Sequence, residues 1–200
     1  MIQKMAMKTA EKMSEHSVIE TKAIQVYAYG LELLYSSLAG VVALIIISAV
    51  CGNTFQWIPY LAGFVPLRLS GGGYHAKNHF HCIFAFSMLY LLILLIERLY
   101  TTPAKAWLIA CVVNLAIVFL FSPVVAPNKP LKECQEEMNR RNSILLGLTN
   151  LFGCIVLIFH FTSKSQWINM YFAGSNMAGL SMLLAVINIR GRRKLYESNG

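Results

Sequence analysis

Six apolar runs spread along a chain of 200 residues constrain this protein more than any other feature. Five are clear: Leu31–Val50, Cys82–Ile96, Ala106–Val125, Ile144–Phe161 and Ile168–Ile189. The sixth, Phe55–Leu67, is short and carries Pro59, Gly63 and Pro66. About 20 apolar residues in a helix cross the roughly 30 Å of bilayer hydrocarbon, and a helix satisfies its own backbone polar groups there. Charged residues make up 13% and apolar residues 56%, with a mean hydropathy of +0.56. A soluble globule carries about a quarter charged residues. The expected fold is therefore all-α: a polytopic integral membrane protein with six transmembrane helices, the second short or broken.

Charge sets the expected orientation. If Phe55–Leu67 crosses, both termini share one side with Lys4, Lys8, Lys12, Lys22, Arg68, Lys77, Lys129, Lys132, Arg140, Arg141, Arg190, Arg192, Arg193 and Lys194. The other side keeps only Arg98, Lys105 and Lys164, a 14-to-3 division of the 17 Lys and Arg. With five spans the division weakens to 10 against 7, because the four N-terminal lysines change sides. The positive-inside rule favours six spans, with both termini cytoplasmic in a multi-pass cell-membrane protein. Every basic cluster sits where topology requires one, and no aromatic stripe is interleaved with them. The net charge of +8 thus points to anionic lipid and an acidic peptide partner, not to nucleic acid.

Before the first span, Ile2, Met5, Ala6, Thr9 and Met13 recur at helical spacing among Lys4, Lys8, Glu11 and Lys12. That pattern predicts an N-terminal amphipathic helix at the interface. Ser17-Val18-Ile19-Glu20 matches a capping box and predicts a second helix starting at Ser17. With no internal repeat or low-complexity linker, 1–200 reads as a single helical membrane domain. Within it, 1–27 is the amphipathic region, 28–190 the six-span core and 191–200 a cytoplasmic tail.

The chemistry gathers between the second and third spans, at Arg68-Leu69-Ser70-Gly71-Gly72-Gly73-Tyr74-His75-Ala76-Lys77-Asn78-His79-Phe80-His81-Cys82. Polar groups at a bilayer boundary are costly and mark function. A thiol attacks as thiolate, which a histidine or a helix N-terminus stabilises. Asn78 is a good N-cap, so Cys82 falls near the first turn of the third span, where free amides favour an anion. His75 lies seven residues before Cys82; on one continuous helix the two stand about 10.5 Å apart along the axis. A His75 base therefore requires a non-helical stretch, and the Gly71–Gly73 triplet supplies the backbone freedom. His79 and His81 read as interfacial anchors. A zinc site at His75, His79 and Cys82 also fits helical spacing, without a fourth ligand. No aspartate occurs in the chain, so all nine acidic residues are glutamates. That leaves Glu32, Ser70, Asn78 or Asn128 as partners for the second imidazole nitrogen, or a plain dyad. Cys51, Cys111 and Cys154 sit in apolar runs as small hydrophobes, and Cys134 reads as a surface thiol.

These residues resemble the AgrB (accessory gene regulator B) family, membrane cysteine endopeptidases of Gram-positive quorum sensing. The likeness lies in Arg68, Gly72-Gly73-Tyr74-His75-Ala76 and Cys82, and in the Ala126-Pro127-Asn128-Lys129-Pro130-Leu131 loop with its following glutamates. It extends to Tyr29-Gly30-Leu31-Glu32 and the later spans. The resemblance implies removal of the C-terminal tail of a short AgrD-like pro-peptide and formation of a cyclic thiolactone or lactone. It implies Cys82 as nucleophile and His75 as base, with Arg68, Gly72 and Gly73 in support and no cofactor or metal. The loop Ala126–Ser143, with Lys129, Lys132, Arg140 and Arg141, is a candidate docking surface for the peptide's acidic tail, although ordinary inside-positive charge accounts for it equally. Gly147, Gly153, Gly174 and Gly179 admit close helix approach and a possible homodimer. The competing functions are a peptide transporter and a non-catalytic scaffold with a His/Cys metal site. Few ionisable groups lie in the third to sixth spans, which disfavours transport.

Overall fold

The computed structural model describes residues 2–72, 79–100, 103–124, 133–160 and 165–198, without the side chains of 79–82, 104, 158–160 and 190–198. Those residues form seven helices: α1 Ile2–Glu15, α2 Ile24–Val50, α3 Trp57–Gly71, α4 His79–Leu99, α5 Ala104–Phe121, α6 Glu133–His160 and α7 Gln166–Ser198. They divide into two compact units. One holds α1, α2 and the first part of α4; the other holds α3, the end of α4, α5, α6 and α7.

In the first unit, α1 lies along α2 through its small residues Ala6 and Ala10, both fully buried. Thr9 Oγ1 meets the Tyr35 hydroxyl at 3.1 Å. The amphipathic face thus packs on protein through alanines, which permit close approach. The expected capping box at Ser17 does not form. Ser17 has φ +57°, its amide donates to the Ser14 carbonyl at 3.0 Å and the Val18 amide donates to Met13 at 2.9 Å. This is a Schellman closure of α1: the carbonyls left open at its end take Ser17 and Val18 before a new helix can claim them. A 3-10 turn, Thr21–Ala23, then leads into α2. Further along α2, the Ser48 and Tyr90 hydroxyls share a short hydrogen bond.

In the second unit, α3 is shorter than a span but unbroken, which corrects the expected break. Its 15 residues measure about 22 Å. Pro59 falls in the first turn, where its missing amide costs nothing, and Pro66 is tolerated within the helix. Helices α3 and α7 meet backbone to backbone: a Cβ on Gly63 would strike the Tyr171 carbonyl, and one on Gly174 the Tyr60 carbonyl. Asn114, Asn150, Tyr171 and Ser175 then join α5, α6 and α7. Asn150 Nδ2 donates to Ser175 Oγ at 2.7 Å, the Tyr171 hydroxyl to Asn150 Oδ1 at 2.6 Å, and Asn114 Nδ2 to the Ser175 carbonyl at 3.1 Å. Cys111 and Cys154 pack with Phe172 as small hydrophobes.

Both long helices outrun their apolar runs. Helix α6 starts at Glu133, so the expected loop Ala126–Ser143 is helical in its second half. Glu136–Arg140 and Glu137–Arg141 stand at i, i+4 in the favourable order, with acids at the positive helix end. Helix α7 continues to Ser198, through the basic segment expected as a tail. Among the described residues two helical segments, Thr21–Val50 and Gln166–Ile189, are long and apolar enough to cross a membrane, and Lys105–Phe121 is a shorter apolar helix. Leu34, Leu38, Val42 and Ile46 on α2 and Ile109, Val112 and Val113 on α5 are exposed, as residues facing lipid would be.

Candidate active site

The last turn of α3 carries Arg68, Ser70 and Gly71 and closes on Gly72. The Gly72 amide donates to the Arg68 carbonyl at 3.1 Å. Gly72 then turns to φ +74°, ψ −153°, a region essentially confined to glycine. A side chain there would also meet the Val124 carbonyl. Here Gly72 ends the helix, using the backbone freedom expected of the glycines. Helix α3 therefore does not run on towards His75.

Val124, just past α5, pairs with this turn. Its amide donates to the Gly71 carbonyl at 2.9 Å, and Gly72 and Val124 form a parallel bridge. The joint roots both chain segments that carried the family likeness: the one leading to His75 and the one leading through Lys129. Nothing in the sequence marks Val124, because it contributes backbone. Around the joint, Gly71 packs against Met182 and Ser143. Half-buried Arg68 reaches Ser181 Oγ from Nη1 at 3.4 Å, and Ser181 donates to the Ala178 carbonyl at 2.7 Å. Ser181 and Met182 are the residues sequence reasoning missed; a small polar residue in an apolar run was the one signal for Ser181, and Met182 looked like any core residue.

Helix α4 passes through Cys82 from His79, so the cysteine lies at the helix's fourth residue. Its side chain and those of His79 and His81 lie outside the described residues, as do Gly73, His75, Asn78, Asn128, Lys129 and Lys132. Glu32 is half-buried on α2. The Ser70 hydroxyl is buried and donates to the Pro66 carbonyl at 3.0 Å. Arg140 and Arg141 are exposed on α6. Among the described residues no group of three or more His, Cys, Asp or Glu is placed to hold a metal; the histidine–cysteine trio weighed for zinc lies outside them.

The glycines that suggested a dimer serve this chain's own packing. Gly147 abuts Leu115, Gly174 the Tyr60 carbonyl and Gly179 the Asn114 amide, while Gly153 alone of the four faces open space.

No curated protein and no solved structure matches the chain. The accessory gene regulator B model matches residues 6–188, and that span includes the glycine turn, Cys82 and the Val124 joint. The chain belongs to the AgrB family, helical membrane proteins that process autoinducing peptides in quorum sensing.

Proposed function

We propose that this protein is a membrane cysteine endopeptidase that removes the C-terminal tail of an AgrD-like pro-peptide and closes the remainder into a ring. Family membership implies peptidase activity and a pro-peptide substrate. The assignment of Cys82 and His75 rests on chemistry. Cys82 is the fourth residue of α4, and the start of a helix favours a thiolate. His75 takes the thiol proton and later gives it to the leaving amine of the tail.

The reaction balances without an outside reagent. The thiolate adds to the scissile carbonyl, the C–N bond breaks, and a thioester joins Cys82 to the peptide. A cysteine or serine within the peptide then attacks that thioester while His75 takes its proton, the bond to Cys82 breaks, and a thiolactone or lactone forms with return of the Cys82 thiolate. For a thiolactone, one thioester replaces another, so ring closure requires that water be kept from the acyl group. A bilayer boundary favours that outcome. Six spans with a cytoplasmic site keep the basic segments inside, where Lys129, Lys132, Arg140 and Arg141 attract an acidic tail.

The observation that carries this reading is the Gly72–Val124 joint. It holds the roots of two motif-bearing segments together, and a preorganised site needs such rigid backbone support. The test is mass spectrometry of products from the protein in lipid nanodiscs with its cognate pro-peptide. Wild type yields tail and ring, while Cys82→Ala and His75→Ala yield neither. Tail release by Cys82→Ala at the wild-type rate sinks the nucleophile assignment.

A further inference from the structure

Between α3 and α6 lies an open cavity of about 480 Å³. Four of its lining residues are polar and uncharged: Ser70, Asn139, Asn142 and Thr149. Leu69, Leu145 and Leu146 supply apolar wall, and no charged residue lines it. We propose that this groove binds a short, extended, uncharged segment of the pro-peptide. The proposal rests on the peptidase reading above and adds the subsite.

Polarity selects the occupant. Among the described residues the side-chain amides of Asn139 and Asn142 have no hydrogen-bond partner. They stand at i, i+3 on α6, and each offers donors and an acceptor. The Thr149 hydroxyl donates to the Leu146 carbonyl at 2.9 Å and Ser70 donates to Pro66 at 3.0 Å, so both oxygens keep lone pairs to accept. A peptide backbone presents amide donors and carbonyl acceptors that match this set. A lipid tail has nothing to bond to it, and a phosphate headgroup finds no cation.

Length and position agree. Asn139 to Thr149 spans ten residues of helix, about 15 Å, the reach of four to five extended residues at about 3.3 Å each. The amides lie on the polar extension of α6, and Leu145 and Leu146 follow in its apolar run. Apolar side chains of the bound segment thus point towards the membrane interior. Ser70 precedes the Gly71–Val124 bond by a single residue, so the groove opens at the joint from which the His75 segment departs.

Binding is read without chemistry, by fluorescence anisotropy of labelled cognate pro-peptide on Cys82→Ala protein in nanodiscs. The variants are Asn139→Ala with Asn142→Ala, and Leu145→Trp, which fills the groove. Each is expected to weaken affinity about tenfold or more, with thermal stability retained. Leu148→Trp, on an exposed part of α6 outside the groove, leaves affinity unchanged. Parental affinity in both groove variants overturns the proposal. So does a lipid retained by the parent and lost by the variants in native mass spectrometry while peptide affinity holds. Cleavage by Cys82→Ala would instead defeat the nucleophile assignment and leave the groove standing.

Discussion

The Val124 amide donates to the Gly71 carbonyl at 2.9 Å, tying the end of α3 to the chain just beyond α5. The next residue, Gly72, is held at φ +74° against the Val124 carbonyl. Two segments far apart in sequence therefore leave the helices from one fixed point.

Gly72→Ala should weaken that point directly. The new Cβ meets the Val124 carbonyl in a backbone region alanine rarely adopts. Strain of about 1–3 kcal/mol is expected, with tail cleavage reduced about tenfold or more. Thermal unfolding and product mass spectrometry on the same preparation measure both. Wild-type cleavage by this variant would show that the joint does not position the site.

Gly174→Ala should cost far more than Gly153→Ala. At 174 the added methyl lands on the Tyr60 carbonyl, while at 153 nothing lies within 4 Å. Overpacking between α3 and α7 is expected to destabilise by about 2–4 kcal/mol. Gly153→Ala should be neutral or stabilising by up to about 1 kcal/mol, because alanine is the better helix former. Unfolding midpoints in detergent decide between them.

Ser175→Ala removes the oxygen that accepts from Asn150 at 2.7 Å. The expected loss is about 1–2 kcal/mol, since interhelical hydrogen bonds in membranes contribute modestly. Asn150→Ala should lose a similar amount and also strand the Tyr171 hydroxyl. The double variant should fall short of the sum of the two, as members of one network do. Strict additivity would mean the four groups act independently.

Cys134 is exposed, whereas Cys111 and Cys154 are buried. A membrane-impermeant maleimide should label Cys134 in inside-out vesicles and not in intact cells, and should leave Cys111 and Cys154 unmodified in both. Labelling of Cys134 from outside intact cells would reverse the proposed orientation.

The apolar runs made helices legible at once, because about 20 apolar residues in a row have few other folds available. The free, buried state of Cys111 and Cys154 and the exposure of Cys134 followed from their neighbours in the chain. So did the backbone freedom used at Gly72, since glycine alone tolerates such a turn. Local competition was harder to read. Ser17 matched a start signal, but the unsatisfied carbonyls of α1 lay nearer and captured it. Helices α6 and α7 overran their apolar runs, and in α6 the Glu136–Arg140 and Glu137–Arg141 pairs at i, i+4 support the extension.

By itself, then, the order of residues determined an all-helical membrane protein and its family, and supplied the side chains proposed to carry its chemistry. Only tertiary structure decided that Gly63 and Gly174 interlock α3 with α7, that Ser175 gathers two asparagines, and that Val124 secures the glycine turn. Each of these depends on a backbone surface or an amide meeting a partner tens of residues away. Apolar periodicity reports which way a side chain faces, and it carries no record of which distant atom waits there.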